Sequence, residues 1–395
     1  MKNKINFLDL GFQPLANNYL RKSELNKKEK KYRLKIGINI NTKLVSINKP
    51  ISSKMMFNDK YPYRSSMSKT MLKSFKNLAI AINKNLKPKK ILEIGSNDGS
   101  FIKNFSKKKV IGIEPCSNIE RITKKKGFNT YPLYWNLKTA KKLLKKEGKV
   151  DLIYSANTIS HIEDLDQVFK SINILLNDNG TLIVEDPSLL ECLKKNTYDQ
   201  FYNEHIYVFS LLGIENILKK HNFEIFHVQN LEIHGGSNRY FIKKKINKGQ
   251  IFSSVNKQRK KELNYGIQKI TTYKKFAKRV KLSKEKLKRI FLKITSKDKK
   301  IIGYGVTAKS TTILNYCKIG KRLISYFIDT TKDKQNKYTP GTKIPILKYL
   351  GFIEKDVDFV FLGAWNFQEE IFNKEKKFIK RGGKFIVHTP KPKIL

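Results

Sequence analysis

A phenol, a carboxylate and an imidazole lie within four residues of each other, at Tyr202, Glu204 and His205. Imidazole titrates closest to neutral pH, so His205 is a candidate general base. Glu204 can orient that base or accept a second proton, and Tyr202 can donate a hydrogen bond to a carbonyl or a sugar hydroxyl. The competing interpretation is that His205 is an interior histidine with satisfied hydrogen bonds.

Two further polar clusters carry groups that can do chemistry. Segment 157–162, which includes His161, follows the apolar strand 150–154, and loops at the carboxyl ends of strands bind ligands in open α/β sheets. Segment 234–239 places two glycines before Arg239, where backbone N–H groups can face an anion. His161 is therefore a second candidate base, and segment 234–239 is a candidate anion site. The alternatives are that His161 is a structural histidine, that the two glycines form a tight turn and that Arg239 forms a salt bridge.

A glycine loop at 95–99 follows the apolar strand 90–94, and the next apolar strand ends at Glu114. Glycines let a backbone approach a ligand, and an acid at the tip of the second strand can accept both hydroxyls of a ribose. The alternative is a purely structural turn. The spacing Gly-x-x-x-Gly with a preceding Glu-x-Gly resembles the first motif of class I S-adenosylmethionine-dependent methyltransferases more than that of NAD enzymes. The residues expected to bind this cofactor are Glu93, Gly95, Ser96, Asn97, Gly99, Glu114, Pro115 and Asn157.

Alternating strands and helices must position these residues. Strands are predicted at 90–94, 110–114, 151–155 and 180–185, with helices between them that include 101–105, and a further helix precedes them at 71–86. Such alternation indicates a largely parallel sheet covered on both faces. An alternating stretch over 32–47 predicts a hairpin with its turn at 39–42.

A second α/β block follows the first. A long helical stretch covers 255–298, a strand–glycine turn–helix unit covers 300–310, and strands are predicted at 323–328, 358–362 and 384–388. The predicted fold class is α/β, with two Rossmann-like domains behind a small irregular amino-terminal module. The predicted boundaries are 1–70, 71–245 and 246–395.

Composition narrows the classes of partner. Of 395 residues, 39% are apolar and 29% are charged, which is typical of a globular chain. The net charge of +49 comes from lysines spread over nearly every segment, and no nucleic-acid-binding motif accompanies them. We therefore expect no nucleic-acid partner, and expect the positive field to attract a small anionic substrate. No apolar run reaches the length of a membrane span, so we predict a cytoplasmic protein without a membrane partner, and the oligomeric state stays open.

Taken together, these segments resemble the bacterial S-adenosylmethionine-dependent C-methyltransferases that act on nucleotide-linked deoxy-keto-sugars, such as the dTDP-sugar 3-C-methyltransferases. The resemblance runs along nearly the whole chain. It is carried by segments 14–17, 61–66, 93–100, 199–205, 233–237, 303–305, 337–342, 364–367 and 382–386.

The resemblance implies a small zinc-binding module, a central cofactor domain and a carboxy-terminal domain that helps to hold the sugar nucleotide. It implies that His205 is the general base and that Tyr202, Glu204 and His161 surround the sugar. Tyr63 matches a further active-site tyrosine, with Tyr61 close enough to be the alternative.

The departure from the family lies in the amino-terminal module. Family members bind zinc through two Cys-x-x-Cys pairs, of which the first falls before this chain begins and the second falls near residues 39–42, where there is no cysteine. The three cysteines lie elsewhere, at Cys116, Cys192 and Cys317. We therefore expect no metal, and a module that is either held by packing or poorly ordered.

The expected reaction is deprotonation of the carbon next to a C4 ketone by His205, followed by methylation of the carbanion. The expected substrate is a nucleotide sugar, with dTDP as the implied nucleotide. An O- or N-methyltransferase acting on a sugar or another small metabolite would share the cofactor loop without needing such a base. A non-catalytic binder of nucleotide sugar or cofactor is the third reading.

Overall fold

The structure is a computed structural model that describes residues 3–395, and its strands form three sheets within that range. The strands are β1 (Lys4–Gln13), β2 (Tyr32–Asn39), β3 (Val45–Ile47), β4 (Ile91–Ile94), β5 (Val110–Ile113), β6 (Asn129–Tyr131), β7 (Val150–Ala156), β8 (Leu176–Pro187), β9 (Tyr207–Val208), β10 (Phe223–Leu231), β11 (Ser237–Lys244), β12 (Ile301–Tyr304), β13 (Phe327–Asp329), β14 (Lys337–Tyr338), β15 (Pro345–Lys348), β16 (Phe359–Leu362), β17 (Lys384–Val387) and β18 (Lys393–Ile394). The helices are α1 (Ser53–Met56), α2 (Lys69–Asn85), α3 (Ser117–Lys125), α4 (Leu137–Glu147), α5 (Leu165–Leu175), α6 (Leu189–Lys195), α7 (Leu211–Lys220), α8 (Ser253–Tyr265), α9 (Ile270–Thr295), α10 (Ala308–Cys317), α11 (Gln368–Lys374) and α12 (Lys376–Lys380).

The amino-terminal sheet has the order β1-β2-β3-β9 and is antiparallel throughout. The predicted hairpin is confirmed: the Asn39 side chain accepts hydrogen bonds from the backbone N–H groups of Asn41 and Thr42, each at 2.9 Å, and so closes the turn. Strand β9 comes from the middle of the chain, directly after the segment that carries His205. The module is therefore joined by β9 to the segment that carries His205.

The central sheet has the order β10-β11-β8-β7-β4-β5-β6, and β11 alone runs antiparallel to its neighbours. Strands β4 and β5 are buried along their whole length, as expected for parallel strands covered on both faces. From β4 the chain moves outward to β5 and β6, whereas β7 and β8 lie on the other side. The crevice between the carboxyl ends of β4 and β7 is thus a topological switch point, where such sheets bind ligands.

The segment after the glycine loop differs from the prediction. Residues 101–105 form only a 3₁₀ turn, Ile102–Asn104, rather than an α-helix. Phe101 and Ile102 are fully buried, and the Asn104 side chain donates to the backbone carbonyls of Ser100 and Phe101. Because the chain reaches β5 within a few residues, the segment is too short for a cooperative helix, and apolar packing decides its shape.

The carboxy-terminal sheet has the order β14-β15-β13-β12-β16-β17-β18. Its five central strands, from β15 across to β17, are parallel, and the edge strands β14 and β18 are antiparallel to their neighbours. Its switch point lies between β12 and β16. The predicted helical stretch 255–298 is two helices, because Gly266 at φ +81° ends α8 in a left-handed cap. Within residues 3–395, no helix is long and apolar enough to cross a membrane.

Candidate active site

The switch points of the central and carboxy-terminal sheets open into the same cavity, which has a volume of about 540 Å³. The central sheet contributes residues within segments 93–97, 113–115 and 156–158 to its wall, and the carboxy-terminal sheet contributes residues within 304–309 and 364–367. The catalytic candidates lie between these two ends. The cavity is lined there by Tyr61, Tyr63, His161, Gln200, Tyr202, Glu204 and His205.

The cofactor loop is shaped by close packing at the central switch point. Gly95 has φ +76°, and a Cβ atom built on it would lie 2.1 Å from the Oγ1 of Thr158. The loop after β4 therefore packs directly against the loop after β7, which only glycine allows. Asn97 and Asn157 also adopt positive φ angles, and both line the cavity.

Glu114 lies where a ribose-binding acid is expected. Its two carboxylate oxygens accept hydrogen bonds from the backbone N–H groups of Asn97 at 3.0 Å and Cys116 at 2.8 Å. Each oxygen keeps a second lone pair, and the side chain lines the cavity. Burial raises the pKa of Glu114, against the two backbone hydrogen bonds that lower it. The remaining lone pairs can accept hydrogen bonds from the two hydroxyls of a ribose, as in S-adenosylmethionine.

The other predicted cofactor residues divide into two groups. Glu93, Pro115 and Asn157 line the cavity, and one carboxylate oxygen of Glu93 is buried without a hydrogen-bond partner among residues 3–395. Ser96 and Gly99 do not line it. The Ser96 hydroxyl is buried beside Gly112, and a Cβ atom on Gly99 would lie 2.7 Å from the Cγ2 of Thr123. Both residues therefore shape the loop instead of facing the cavity.

His205 is held in one tautomer. Its Nδ1 lies 2.8 Å from the backbone carbonyl oxygen of Gln200, which can only accept a hydrogen bond, so Nδ1 carries the proton. Its Nε2 lies 2.6 Å from the hydroxyl of Tyr202. Burial raises the pKa of Tyr202 well above its ordinary value, so this hydroxyl keeps its proton and donates it to the Nε2 lone pair. The lone pair of a neutral imidazole thus accepts from Tyr202, and both residues line the cavity.

The surroundings of His205 keep it neutral. Burial, followed by the nearby His161 and Lys309, lowers the pKa of His205 well below its ordinary value. His161 stacks between His205 and Phe57, with ring centroids 5.1 Å and 5.4 Å away, and burial lowers the pKa of His161 to about 3. Its Nε2 is buried without a hydrogen-bond partner in the described chain. A neutral His205 can accept a proton.

Glu204 does not orient His205, because its oxygens are engaged elsewhere. Oε1 accepts from the Asn17 amide at 2.7 Å, and Oε2 accepts from the Tyr61 hydroxyl at 2.9 Å. Burial raises the pKa of Glu204 to about 7, while these two hydrogen bonds lower it. The backbone carbonyl of Gln200 orients the His205 ring instead, by accepting the hydrogen bond from Nδ1. Gln200 lies five residues before His205, and the sequence spacing did not predict the turn that brings the two together.

Both candidate tyrosines line the cavity, but only Tyr61 contacts Glu204. Tyr63 is half-exposed, and its backbone carbonyl accepts a hydrogen bond from the side chain of Asn97, which links it to the cofactor loop. Asn17 was not among the predicted site residues, although it belongs to segment 14–17 that carried the family resemblance.

Arg239, in segment 234–239, has a structural role. The guanidinium pairs with fully buried Glu185 at 2.7 Å and donates to the side chain of Gln229, so it is not available to a ligand. Gly235 permits close packing, since a Cβ atom there would lie 2.3 Å from the Trp365 ring. The tight-turn and salt-bridge interpretation is confirmed.

The amino-terminal module does not fit a zinc ion. Residues 1–57 contain neither cysteine nor histidine, the ligands that structural zinc sites use. Residues 3–395 hold no cluster of three or more potential metal ligands. The three cysteines are buried, and all of them lie outside the sequence of this module. Asn39, at the predicted position of a zinc-binding pair, closes a hydrogen-bonded turn instead.

Three family models match consecutive parts of the chain. Residues 1–57 match a putative zinc binding domain, residues 63–228 match a methyltransferase domain, and residues 232–390 match a C-methyltransferase C-terminal domain. The chain is also 29% identical over 307 residues to the C-methyltransferase NovU of Streptomyces niveus, an alignment that covers 77% of this chain and 73% of that protein.

Solved structures match part of the chain. Magnesium protoporphyrin IX methyltransferase from Synechocystis, with bound S-adenosylmethionine, is 14% identical with a TM-score of 0.33 over 44% of this chain and 77% of that one. A methyltransferase from Thermotoga maritima, described as a possible histamine N-methyltransferase, is 22% identical with a TM-score of 0.33 over 44% of this chain and 89% of that one.

Proposed function

Because the chain belongs to the S-adenosylmethionine-dependent methyltransferases, we propose that it methylates a carbon atom of a nucleotide-linked 4-keto-deoxysugar. The observation that carries this proposal is the neutral, oriented imidazole of His205 inside the cavity that the cofactor loop opens into. An O-methyltransferase would not need a base that removes a proton from carbon. The similarity to a C-methyltransferase supports the same choice.

His205 acts first. Its Nε2 takes the proton from the carbon next to the ketone, and the electron pair of that C–H bond delocalises onto the ketone oxygen. Tyr202 remains protonated at neutral pH, so its hydroxyl can shift its hydrogen bond from Nε2 to that oxygen as the negative charge develops there.

Bound S-adenosylmethionine would supply an electrophilic methyl group on a positively charged sulfur, and this group would pass to the deprotonated carbon as its bond to sulfur breaks. Glu114, Asn97 and Glu93 are the residues that hold the cofactor beside the base in this proposal. Holding both reactants in one cavity contributes roughly 7–11 kcal/mol to the lowering of the barrier, the range for well-oriented reactions.

Glu204 does not act on the proton of His205, and its own carboxyl group has a different role. With a pKa of about 7, its carboxyl group exchanges a proton near neutral pH. It lies beside His205 in sequence and lines the same cavity, so its ionised form can accept a hydrogen bond from a sugar hydroxyl. We assign it to sugar binding, with Asn17 and Tyr61 holding it in place.

The test is incubation of the purified protein with S-adenosylmethionine labelled in its methyl group and a panel of 4-keto nucleotide sugars, with dTDP-linked sugars first. We expect one labelled methyl group per sugar, on the carbon next to the ketone. Label on oxygen or nitrogen would favour the alternative, an O- or N-methyltransferase acting on a sugar or another small metabolite.

A further inference from the structure

Lys309 is a buried cation without a counterion in contact. Its side chain lines the cavity at the carboxy-terminal end, and only 8% of the residue is exposed. Among residues 3–395, no carboxylate lies within 4.0 Å of its ammonium group and no acceptor is hydrogen-bonded to it; the Trp365 ring lies 5.5 Å away. Burial lowers the pKa of Lys309 to about 8, and the more distant carboxylate of Asp199 raises it. A buried, unpaired ammonium is costly unless an anion joins it.

The backbone around Lys309 points to the same kind of ligand. Thr307 caps α10, and its hydroxyl oxygen accepts from the N–H of Ser310 at 3.0 Å. The N–H groups of Ala308 and Lys309, the first two of this ten-residue helix, have no acceptor in the described chain. Free N–H groups at a helix amino terminus bind phosphates.

The position in the fold agrees with a ligand site. Helix α10 starts at the switch point of the carboxy-terminal sheet, where the chain leaves β12. Gly305 brings this turn close to the end of β16, since a Cβ atom on it would lie 2.6 Å from the Cβ of Ala364. Ligands of open α/β sheets bind at such crevices.

Two of the neighbouring cations are already engaged. Lys334 donates to the Val306 carbonyl at 2.6 Å and lies 3.6 Å from Asp329. Arg64 pairs with Asp333 at 2.7 Å. Lys309 therefore offers its charge to a ligand, while Lys334 and Arg64 offer theirs to the protein.

We propose that Lys309 and the amino terminus of α10 form the subsite for the diphosphate group of the substrate, a proposal that rests on the proposed function. One ammonium group and two adjacent N–H groups give donors for more than one phosphoryl oxygen. Lys309 is close enough to lower the pKa of His205, so a diphosphate held there keeps the attached sugar at the catalytic end of the cavity.

The experiment measures binding of two probes, dTDP and inorganic diphosphate, by isothermal titration calorimetry. Lys309→Met is expected to weaken both probes roughly 10- to 100-fold, the range for a hydrogen bond to a charged group. Ala308→Pro removes a single N–H at a helix position that tolerates proline, and is expected to weaken both probes about 3- to 10-fold. The control is Lys297→Met at an exposed lysine, which should leave both affinities unchanged.

Binding of S-adenosylhomocysteine, unchanged in all three variants, shows that they fold. The subsite is overturned if the wild-type protein binds neither probe, or if Lys309→Met weakens the probes no more than Lys297→Met does. If inorganic diphosphate binds in a way that depends on Lys309 and dTDP does not bind, the result would support the subsite and contradict a dTDP-linked substrate. Methylation of a 4-keto nucleotide sugar with an unchanged KM in Lys309→Met would support the function and overturn the subsite.

Discussion

Replacement of His205 by asparagine tests the base assignment with little disturbance of the fold. The asparagine amide can still donate a hydrogen bond toward the carbonyl of Gln200, but it has no basic lone pair to replace Nε2. The loss of a positioned general base lowers kcat by about 10²- to 10⁴-fold. Loss of the hydrogen bond with Tyr202 costs about 1 kcal/mol of stability, so the variant should fold.

The assay follows methyl transfer from labelled cofactor to a 4-keto nucleotide sugar, together with the affinity for S-adenosylhomocysteine. We expect kcat to fall by the factor given above and the affinity for S-adenosylhomocysteine to stay within about twofold, because Glu114 and the loop at Gly95 are untouched. The matched control is His227→Asn, a histidine outside the cavity wall whose ring bonds to Ser254, and it should leave kcat unchanged.

The pH dependence adds a second check. Because the pKa of His205 is lowered, its basic form is fully populated at and above neutral pH, and His205 limits the rate only when the pH falls well below 6.5. A kcat near the wild-type value in His205→Asn, or equal losses in His205→Asn and His227→Asn, would refute the assignment.

Four further predictions concern Glu204, the cofactor site and zinc. Tyr61→Phe removes a hydrogen bond that lowers the pKa of Glu204, so that pKa should rise above about 7; because ionised Glu204 is the form that accepts from the sugar hydroxyl, the acidic limb of the kcat/KM profile should move to higher pH. Glu114→Ala should weaken S-adenosylhomocysteine roughly 10- to 100-fold in calorimetry, as expected for the loss of hydrogen bonds to a charged group. Gly95→Ala should abolish cofactor binding, because its Cβ would lie 2.1 Å from Thr158 Oγ1. Metal analysis of the purified protein should find no stoichiometric zinc.

Controls separate these effects from general loss of structure. Gly382→Ala places a side chain at another positive φ angle, +88°, with nothing within 4 Å, so it should keep cofactor binding. Tyr326→Phe removes a hydroxyl that bonds to Glu354 away from the cavity wall and should leave the pH profile unchanged. An unshifted profile in Tyr61→Phe, full cofactor affinity in Glu114→Ala or Gly95→Ala, or one equivalent of tightly held zinc would each contradict the corresponding prediction.

Local patterns predicted much of the fold. The strands that hold Glu93 and Glu114 are short apolar runs bounded by turn residues, and both formed within a residue of the predicted limits. The turn at Asn39 also followed from its sequence, because an Asn side chain bonds to backbone N–H groups two and three residues further on. These features depend on neighbouring residues only.

Long-range pairing was not predictable in this way. Strand β9 has two residues and no periodicity, and its place beside β3 depends on contacts with a segment some 160 residues earlier in the chain. The hydrogen bond between Asn17 and Glu204 joins residues 187 positions apart. Lys309 looked like one lysine among many, and its burial beside Trp365 became visible only when β12 and β16 were brought together.

The measurement that tests the central claim most directly is solvent deuterium exchange into a 4-keto nucleotide sugar, followed by NMR, with S-adenosylhomocysteine in place of the methyl donor. The proposed mechanism predicts that the wild-type protein exchanges the proton on the carbon next to the ketone, and that His205→Asn loses this exchange in proportion to its loss of methyl transfer. The mechanism would be contradicted if the wild-type protein transferred the methyl group without catalysing the exchange, or if the exchange survived in His205→Asn.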